Sequence, residues 1–255
     1  MKCDMHIHSN LSEDSFSKPE KIVAAAKRAG LDGIVLANHD RVMPKETLES
    51  LRDRGVLIIP AAEYSTDVGH VLALFTEEHI GILGVEKAGK VYPYRETIDA
   101  IHKLGGVAVL AHPSTDGTEV QAAVLRCFDG VEAANSRSGY RAKGRANVMA
   151  AAAAEQAGLQ TAGSDSHFLF EIGRSYVELP VEPPYTREKL LAALGDRPKI
   201  VSRPTNPMVL TASQIYKNGR AGHYLGACKQ VVKLLLRLPM LAPRLFGVTP
   251  YHREY

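Results

Sequence analysis

A chain of 255 residues, 45% apolar and 23% charged, is long enough for one large domain or one domain with an appendage, and its composition is that of an ordinary globular protein. The formal net charge of +3 is too mild to call for nucleic acid, and three widely spaced cysteines (Cys3, Cys127, Cys228) argue against a disulfide scaffold and for a reducing compartment. The N-terminus MKCDMHIHS has no apolar leader segment and no apolar run reaches about 18 residues, so a cytoplasmic protein without a membrane span is expected.

Short apolar runs alternate with helical patterns along the chain. Strands are predicted over 3–7 (CDMHI), 33–37 (GIVLA), 56–60 (VLIIP), 70–75 (HVLALF), 107–111 (VAVLA), 130–134 (GVEAA) and 160–163 (QTAG). Helices are predicted over 18–30, 44–54, 94–104, 118–126, 140–157 and 186–195. The first has Pro near its start and Gly at its end, and the fifth is rich in alanine. The segments AGLDGIVL (29–36) and AGLQTAGS (157–164) each turn a helix end directly into a strand. Repeated units of this kind suggest a parallel barrel or a doubly wound sheet. The first strand is followed by no GxGxxG and the chain has no GxxxxGK[ST], which favours the barrel.

The pattern changes near residue 200. SRPTNP (202–207) is a break, and KQVVKLLLRLPMLAPRLF (229–246) mixes basic with apolar residues around Pro239 and Pro243. The division expected is a catalytic domain over 1–200 and a C-terminal extension over 201–255, helical and docked on the barrel. A basic amphipathic segment also suits a partner or a membrane surface.

Ligand-type side chains gather at the strand ends. His6 and His8 lie two apart on the first strand and so project to one side. Asn38-His39-Asp40 follows the second strand, Glu63 the third, His112 the fifth and Asp165-Ser166-His167 the seventh, while His70 begins the fourth. In parallel barrels the C-terminal rim is where sites are built, and imidazoles with carboxylates on one rim are a metal-site composition. His79, His102, His223 and His252 lie off the strand ends and read as ordinary packing or surface groups.

The segments DMHIHSNLSED, LANHD, AAEYS, GHVLAL, AHP and GSDSH, taken in order, resemble the successive motifs of the PHP (polymerase and histidinol phosphatase) superfamily over residues 1–200. The resemblance implies an α/β fold, a distorted (β/α)7 barrel, here with a C-terminal helical extension. It also implies two or three divalent metal ions and cleavage of phosphate esters. Carried over residue by residue, His6, His8, Glu63 and Asp165 would hold a first metal. Glu63, His70 and His112 would hold a second, and Asp14, His39 and His167 a third. Glu13 is the alternative to Asp14. Such ligation suits Zn, Mn or Fe. The family usually has Thr-Asp-His where this chain has Ala37-Asn38-His39, which implies weaker binding at the third site.

The reaction expected is attack of a metal-activated hydroxide on phosphorus, with Asp40, His167 or a metal-bound water protonating the leaving group. Arg137, in NSRSGYRAKGR after the sixth strand, and Arg174 are the expected phosphate-binding residues. The substrate expected is a small phosphomonoester or nucleotide. Tyr64 and Tyr140 are available to stack a base, which keeps a nucleotide phosphodiesterase or exonuclease open, although no tryptophan is present to build a nucleic-acid platform. A noncatalytic metal-binding module is the alternative from another class.

Overall fold

The computed structural model describes the backbone of residues 1–246 and 253–254, and side chains through residue 235. Seven strands form the barrel: β1 (Lys2–Ile7), β2 (Gly33–His39), β3 (Leu57–Thr66), β4 (Gly69–Leu74), β5 (Val107–Ala111), β6 (Gly130–Asn135) and β7 (Leu159–Gly163). They occupy the seven predicted positions. Neighbours pair in chain order, and all pairs are parallel except those made by β4. Just past β7, Asp165 N–H donates to His6 O at 2.8 Å and His8 N–H to Ser166 O at 3.0 Å, which joins the last strand to the first at the rim. At the opposite end, β8 (Ser175–Glu178) pairs antiparallel with the start of β1, and β9 (Lys199–Ser202) pairs with β8.

Parallel strands buried on both faces need continuous apolar sequence, and GIVLAN of β2 is buried throughout. Outside the barrel lie α1 (Pro19–Arg28), α2 (Lys45–Leu51), α3 (Tyr94–Lys103), α4 (Ala122–Leu125), α5 (Ala146–Ala154) and α6 (Arg187–Gly195). α1 shows the local logic. Pro19 opens it, Gly30 at φ +71° follows its end, and Ile22, Val23, Ala25 and Ala26 form its buried side against Ile34 and Leu36 of β2. The predicted helix 140–157 starts only at Ala146, because Ala142 and Lys143 adopt left-handed φ in the turn before it.

Two departures from simple βα repetition place the site. β3 and β4 are a hairpin paired from Ala61–Leu74 to Thr66–Gly69, so β4 runs backwards and its first residues, including His70, reach the rim where other strands end. In β1, Asp4 pairs with Ile34 and Ile7 with Leu36, so three residues of β1 span two of β2. This bulge switches the alternation. Cys3 and Met5 share the interior side below it, and His6 and His8 share that side above it.

Beyond β9, α7 (Pro207–Arg220) and α8 (Tyr224–Phe246) follow. α7 crosses the rim. Arg220 Nη1 donates to Asn10 O and Ser12 O, and Thr205 N–H donates to Ser136 O. α8 runs past Pro239 and Pro243. Residues 247–252 and 255 of the expected extension lie outside the described residues. No helix searched among the described residues is long and apolar enough to cross a membrane.

Candidate metal centre

The rim brings together all nine side chains named above. Glu63 is at the centre, with no solvent exposure. Its Oε1 lies 2.9 Å from His70 Nδ1 and 2.8 Å from His112 Nε2, and its Oε2 lies 2.8 Å from His39 Nδ1 and 3.3 Å from His8 Nε2. Asp165 Oδ1 sits 3.2 Å from His8 Nε2 and 3.9 Å from His6 Nε2. Asp14 Oδ2 is 3.2 Å from His167 Nε2 and 3.5 Å from His39 Nε2. Asp14 is buried and turned to these imidazoles, whereas Glu13 is exposed.

Hydrogen bonds behind the imidazoles fix which nitrogen faces the centre. His6 Nδ1–H donates to Glu132 Oε1 at 3.1 Å. His8 Nδ1–H donates to Ser12 Oγ at 3.0 Å, and Ser12 passes its own proton to Asn38 Oδ1 at 3.3 Å. The two Nε2 atoms face each other 3.1 Å apart, the nitrogen of His8 as a lone pair. Two ligand atoms on one ion with bonds of about 2.0–2.1 Å stand about 2.9–3.4 Å apart. Among the described residues, Asp14 Oδ1 is buried with no hydrogen-bond donor. A buried carboxylate oxygen left without a donor, in a sealed cluster of imidazoles and carboxylates, is what a cation would satisfy, so the donor set fits divalent metal ions.

Burial disfavours the His6 imidazolium, but Glu63, Glu132 and Asp165 outweigh it and raise this ring well above its usual range, so a metal ion would have to displace its proton. Burial pushes His8 down to about 3, with the neighbouring His167 and His39 rings adding to the effect, so it is a neutral ligand. Burial alone would raise Glu63, yet His70, His6 and His39 hold its carboxyl well below the usual range. Burial is likewise overcome at Asp14 by His167 and His39, and at Asp165 chiefly by His6 and His8, so both remain carboxylates.

The backbone is strained at the same rim. Asp40 (φ +50°), His112 (φ +27°) and Asp165 (φ +53°) each follow a strand in left-handed conformation, at about 1–3 kcal/mol each. At Gly163 an added Cβ would lie 2.3 Å from His6 Cβ, so only glycine lets β7 approach β1 here.

Other expected site residues are placed differently. Arg137 is nearly buried, and its Nε and Nη2 donate to the two carboxylate oxygens of buried Glu171 at 3.2 and 2.9 Å, while Nη1 donates to Ser213 Oγ. A guanidinium clamped this way holds the fold together, while it also lines the cavity above the rim, where phosphate binding was expected of it. For Arg174 the expectation is corrected: its Nη2 donates to Pro204 O, and it does not line the cavity. Asp40 does line that cavity, with Oδ1 accepting Ser65 N–H and Oδ2 accepting Lys87 Nζ–H at 2.8 Å. His167 also lines it, with Nδ1 on Asp165 O. Tyr64 is fully buried and its hydroxyl accepts Ile80 N–H, so of the two tyrosines only Tyr140 reaches the cavity.

Several residues were not singled out from sequence. Ser12 orients His8 and also accepts His39 N–H. Glu171 accepts His167 N–H and Phe168 N–H besides Arg137. Lys217, on α7, extends into the cavity to 3.9 Å from Asp14 Oδ2. Asn38, noted from sequence ahead of His39, has its Oδ1 accepting from Ser9 and Ser12, while its Nδ2 has no partner among the described residues.

Comparison with known proteins places this site in context. Residues 144–197 match the family model described as PHP-associated. The chain is 27% identical to a probable phosphatase of Shewanella sediminis over 223 residues, covering 74% of this chain and 88% of that protein. It is 29% identical to an uncharacterized protein of Methanocaldococcus jannaschii over 124 residues, covering 44% and 68% of the two chains. The crystal structure of PsfC from Pseudomonas syringae superposes with a TM-score of 0.61 at 19% identity, over 86% of this chain and 98% of that one. An amidohydrolase from Chromobacterium violaceum superposes with a TM-score of 0.52 at 17% identity, over 80% and 99%. The ordered rim motifs, the barrel and the PHP-associated match over residues 144–197 make the chain similar to proteins of the PHP superfamily.

Proposed function

We propose that the chain is a metal-dependent phosphoesterase that hydrolyses a small phosphomonoester of nucleotide size or below. The observation that carries this reading is the buried meeting of His6 Nε2 and His8 Nε2 at 3.1 Å, beside Glu63 and Asp165. His6, His8, Glu63 and Asp165 would hold one ion, Glu63, His70 and His112 a second, and Asp14, His39 and His167 a third. Zn, Mn or Fe bound there would neutralise phosphate oxygens and lower the pKa of a water.

The chain's own groups do the rest. Arg41, Lys87, Arg141 and Lys217 line the cavity as cations for the ester oxygens, Lys217 standing nearest the Asp14 group. Asp40 and His167 remain the assigned proton carriers. Each is already hydrogen-bonded, so a proton would reach the leaving oxygen from Lys87 through Asp40, or, with the third ion absent, from His167 released by Asp14.

The cavity holds about 1330 Å³, above the roughly 300–1,000 Å³ of ordinary ligand pockets. That volume admits a nucleotide, and it also favours a second reading, a nucleotide phosphodiesterase. Elemental analysis of the purified protein, paired with phosphate release from mononucleotides, sugar phosphates and a bis-ester, separates the readings. Two or three metals per chain with monoester turnover supports the proposal, and turnover of the bis-ester alone supports the second. Metal-loaded protein that releases nothing from any ester sinks both and leaves a noncatalytic module.

A further inference from the structure

The metal centre leaves the chain's charge segregation unexplained. Residues 197–255 contain ten Lys and Arg and one acidic residue, Glu254, so they carry +9 while the first 196 residues carry −6. Within this segment α8 has two sides. Ala227, Gln230 and Leu234 are half-buried. Leu225, Cys228, Val232 and Leu235 are exposed, with Leu225 at 83%, Val232 at 55% and Leu235 at 56%. Their spacing of three, four and three residues puts them in one stripe along the helix. Lys229 and Lys233 follow the stripe one position on, exposed and without a carboxylate partner among the described residues, with Lys233 on the edge of α8 that also lines the cavity above the rim. Tyr224, 73% exposed, stands at the start of the helix.

We propose that α8 is an interfacial helix that lays this stripe onto an anionic lipid bilayer. An apolar stripe bordered by lysines, with an aromatic residue at its end, matches the boundary between acyl chains and negatively charged headgroups. The helix is not apolar enough to cross the bilayer. A second copy of the chain is a poor occupant, because a symmetric pairing would set the Lys229–Lys233 row against its own kind. A protein groove is a weaker match than a bilayer. The stripe has no large aromatic anchor at its centre, and its cations are not interspersed with carboxylates. The −6 body is repelled by the same surface, so the charge segregation orients the molecule with α8 toward the lipid.

The test is co-sedimentation of the full-length protein with vesicles of phosphatidylcholine alone and of phosphatidylcholine with phosphatidylglycerol. Binding to the anionic vesicles, weakened by salt as a surface charge effect should be, is expected. Lys229→Glu should weaken it about 25-fold, at roughly fivefold per unit of charge. The Val232→Glu, Leu235→Glu double variant should lose it while keeping its thermal unfolding temperature and its hydrolysis in solution. Failure of the folded wild type to bind anionic vesicles overturns the proposal, as does equal binding to neutral vesicles or unchanged binding by the double variant. A wild-type dimer in sedimentation analysis that the double variant abolishes also overturns it, in favour of a second copy.

Discussion

Nε2 of His6 and Nε2 of His8 face each other at 3.1 Å in a space closed to solvent, each with its Nδ1–H already committed to another acceptor. Glu63, Glu132 and Asp165 hold a proton on His6, which its Nε2 can share with the neutral Nε2 of His8, and a metal ion would take the place of that proton, with Glu63 and Asp165 supplying the remaining donors around the point. Stripping the protein with a chelator should therefore abolish hydrolysis and lower the thermal unfolding temperature, and added Zn, Mn or Fe should restore both. His8→Ala should lose metal from this group and abolish turnover with the fold retained by circular dichroism. An H8A protein with full metal content and full turnover removes the assignment.

Metal binding should release protons. Burial disfavours the imidazolium of His39, but Glu63 and Asp14 outweigh it and raise this residue to about 10 in the metal-free protein. A metal ion binds only the neutral ring, so it must displace that proton. Apparent affinity should rise with pH from neutrality up to about 10 and level off beyond. Calorimetric titration in buffers of different protonation enthalpy counts the protons directly. A pH-independent affinity with no proton release near neutrality would contradict the neutral-ligand role of His39.

Seven strands and the grouping of ligand-type side chains were legible in the sequence because both rest on local signals. Buried strands need runs such as GIVLA, and ligands at strand ends are adjacent to those runs. What escaped depended on distant partners. Arg137 stands next to a strand end, as a phosphate ligand would, but its carboxylate partner Glu171 is 34 residues away. Lys217 enters the site only because α7 crosses the rim. β8 and β9, SYVE and KIVS, are four residues each and partly polar, too short to stand out from loops. The antiparallel course of β4 leaves no mark in its own residues. The bulge in β1 is set by its pairing with β2 rather than by composition.

Gly163→Ala tests how closely β7 must approach β1. The new methyl would meet His6 Cβ at 2.3 Å, His6 N at 2.6 Å and Glu132 Oε1 at 3.0 Å. Backbone and buried ligand cannot both yield, so the strand must shift. The expected cost is about 1–3 kcal/mol, as for other overpacked sites. Because His6 moves with it, metal content should fall as well. Denaturant unfolding with elemental analysis measures both, and a G163A protein with unchanged stability and full metal content would show that the approach is not tight.

Arg137 and Lys217 should fail in opposite ways. Arg137→Ala leaves Glu171 as a buried carboxylate without its bidentate partner, while Glu171 also holds the His167 and Phe168 backbone. Removing one member of such a pair costs about 3–5 kcal/mol, so this variant should unfold at lower denaturant, with any kinetic change following from instability. Lys217 is partly exposed and packs against nothing that its loss would orphan except a 3.9 Å contact to Asp14. Lys217→Ala should keep its unfolding midpoint and raise KM with kcat little changed, as expected for a group that binds ester oxygens equally in ground and transition states. Unfolding curves and steady-state kinetics on both variants decide the matter. A destabilised K217A, or a stable R137A with raised KM, would return the phosphate-binding role to the arginine.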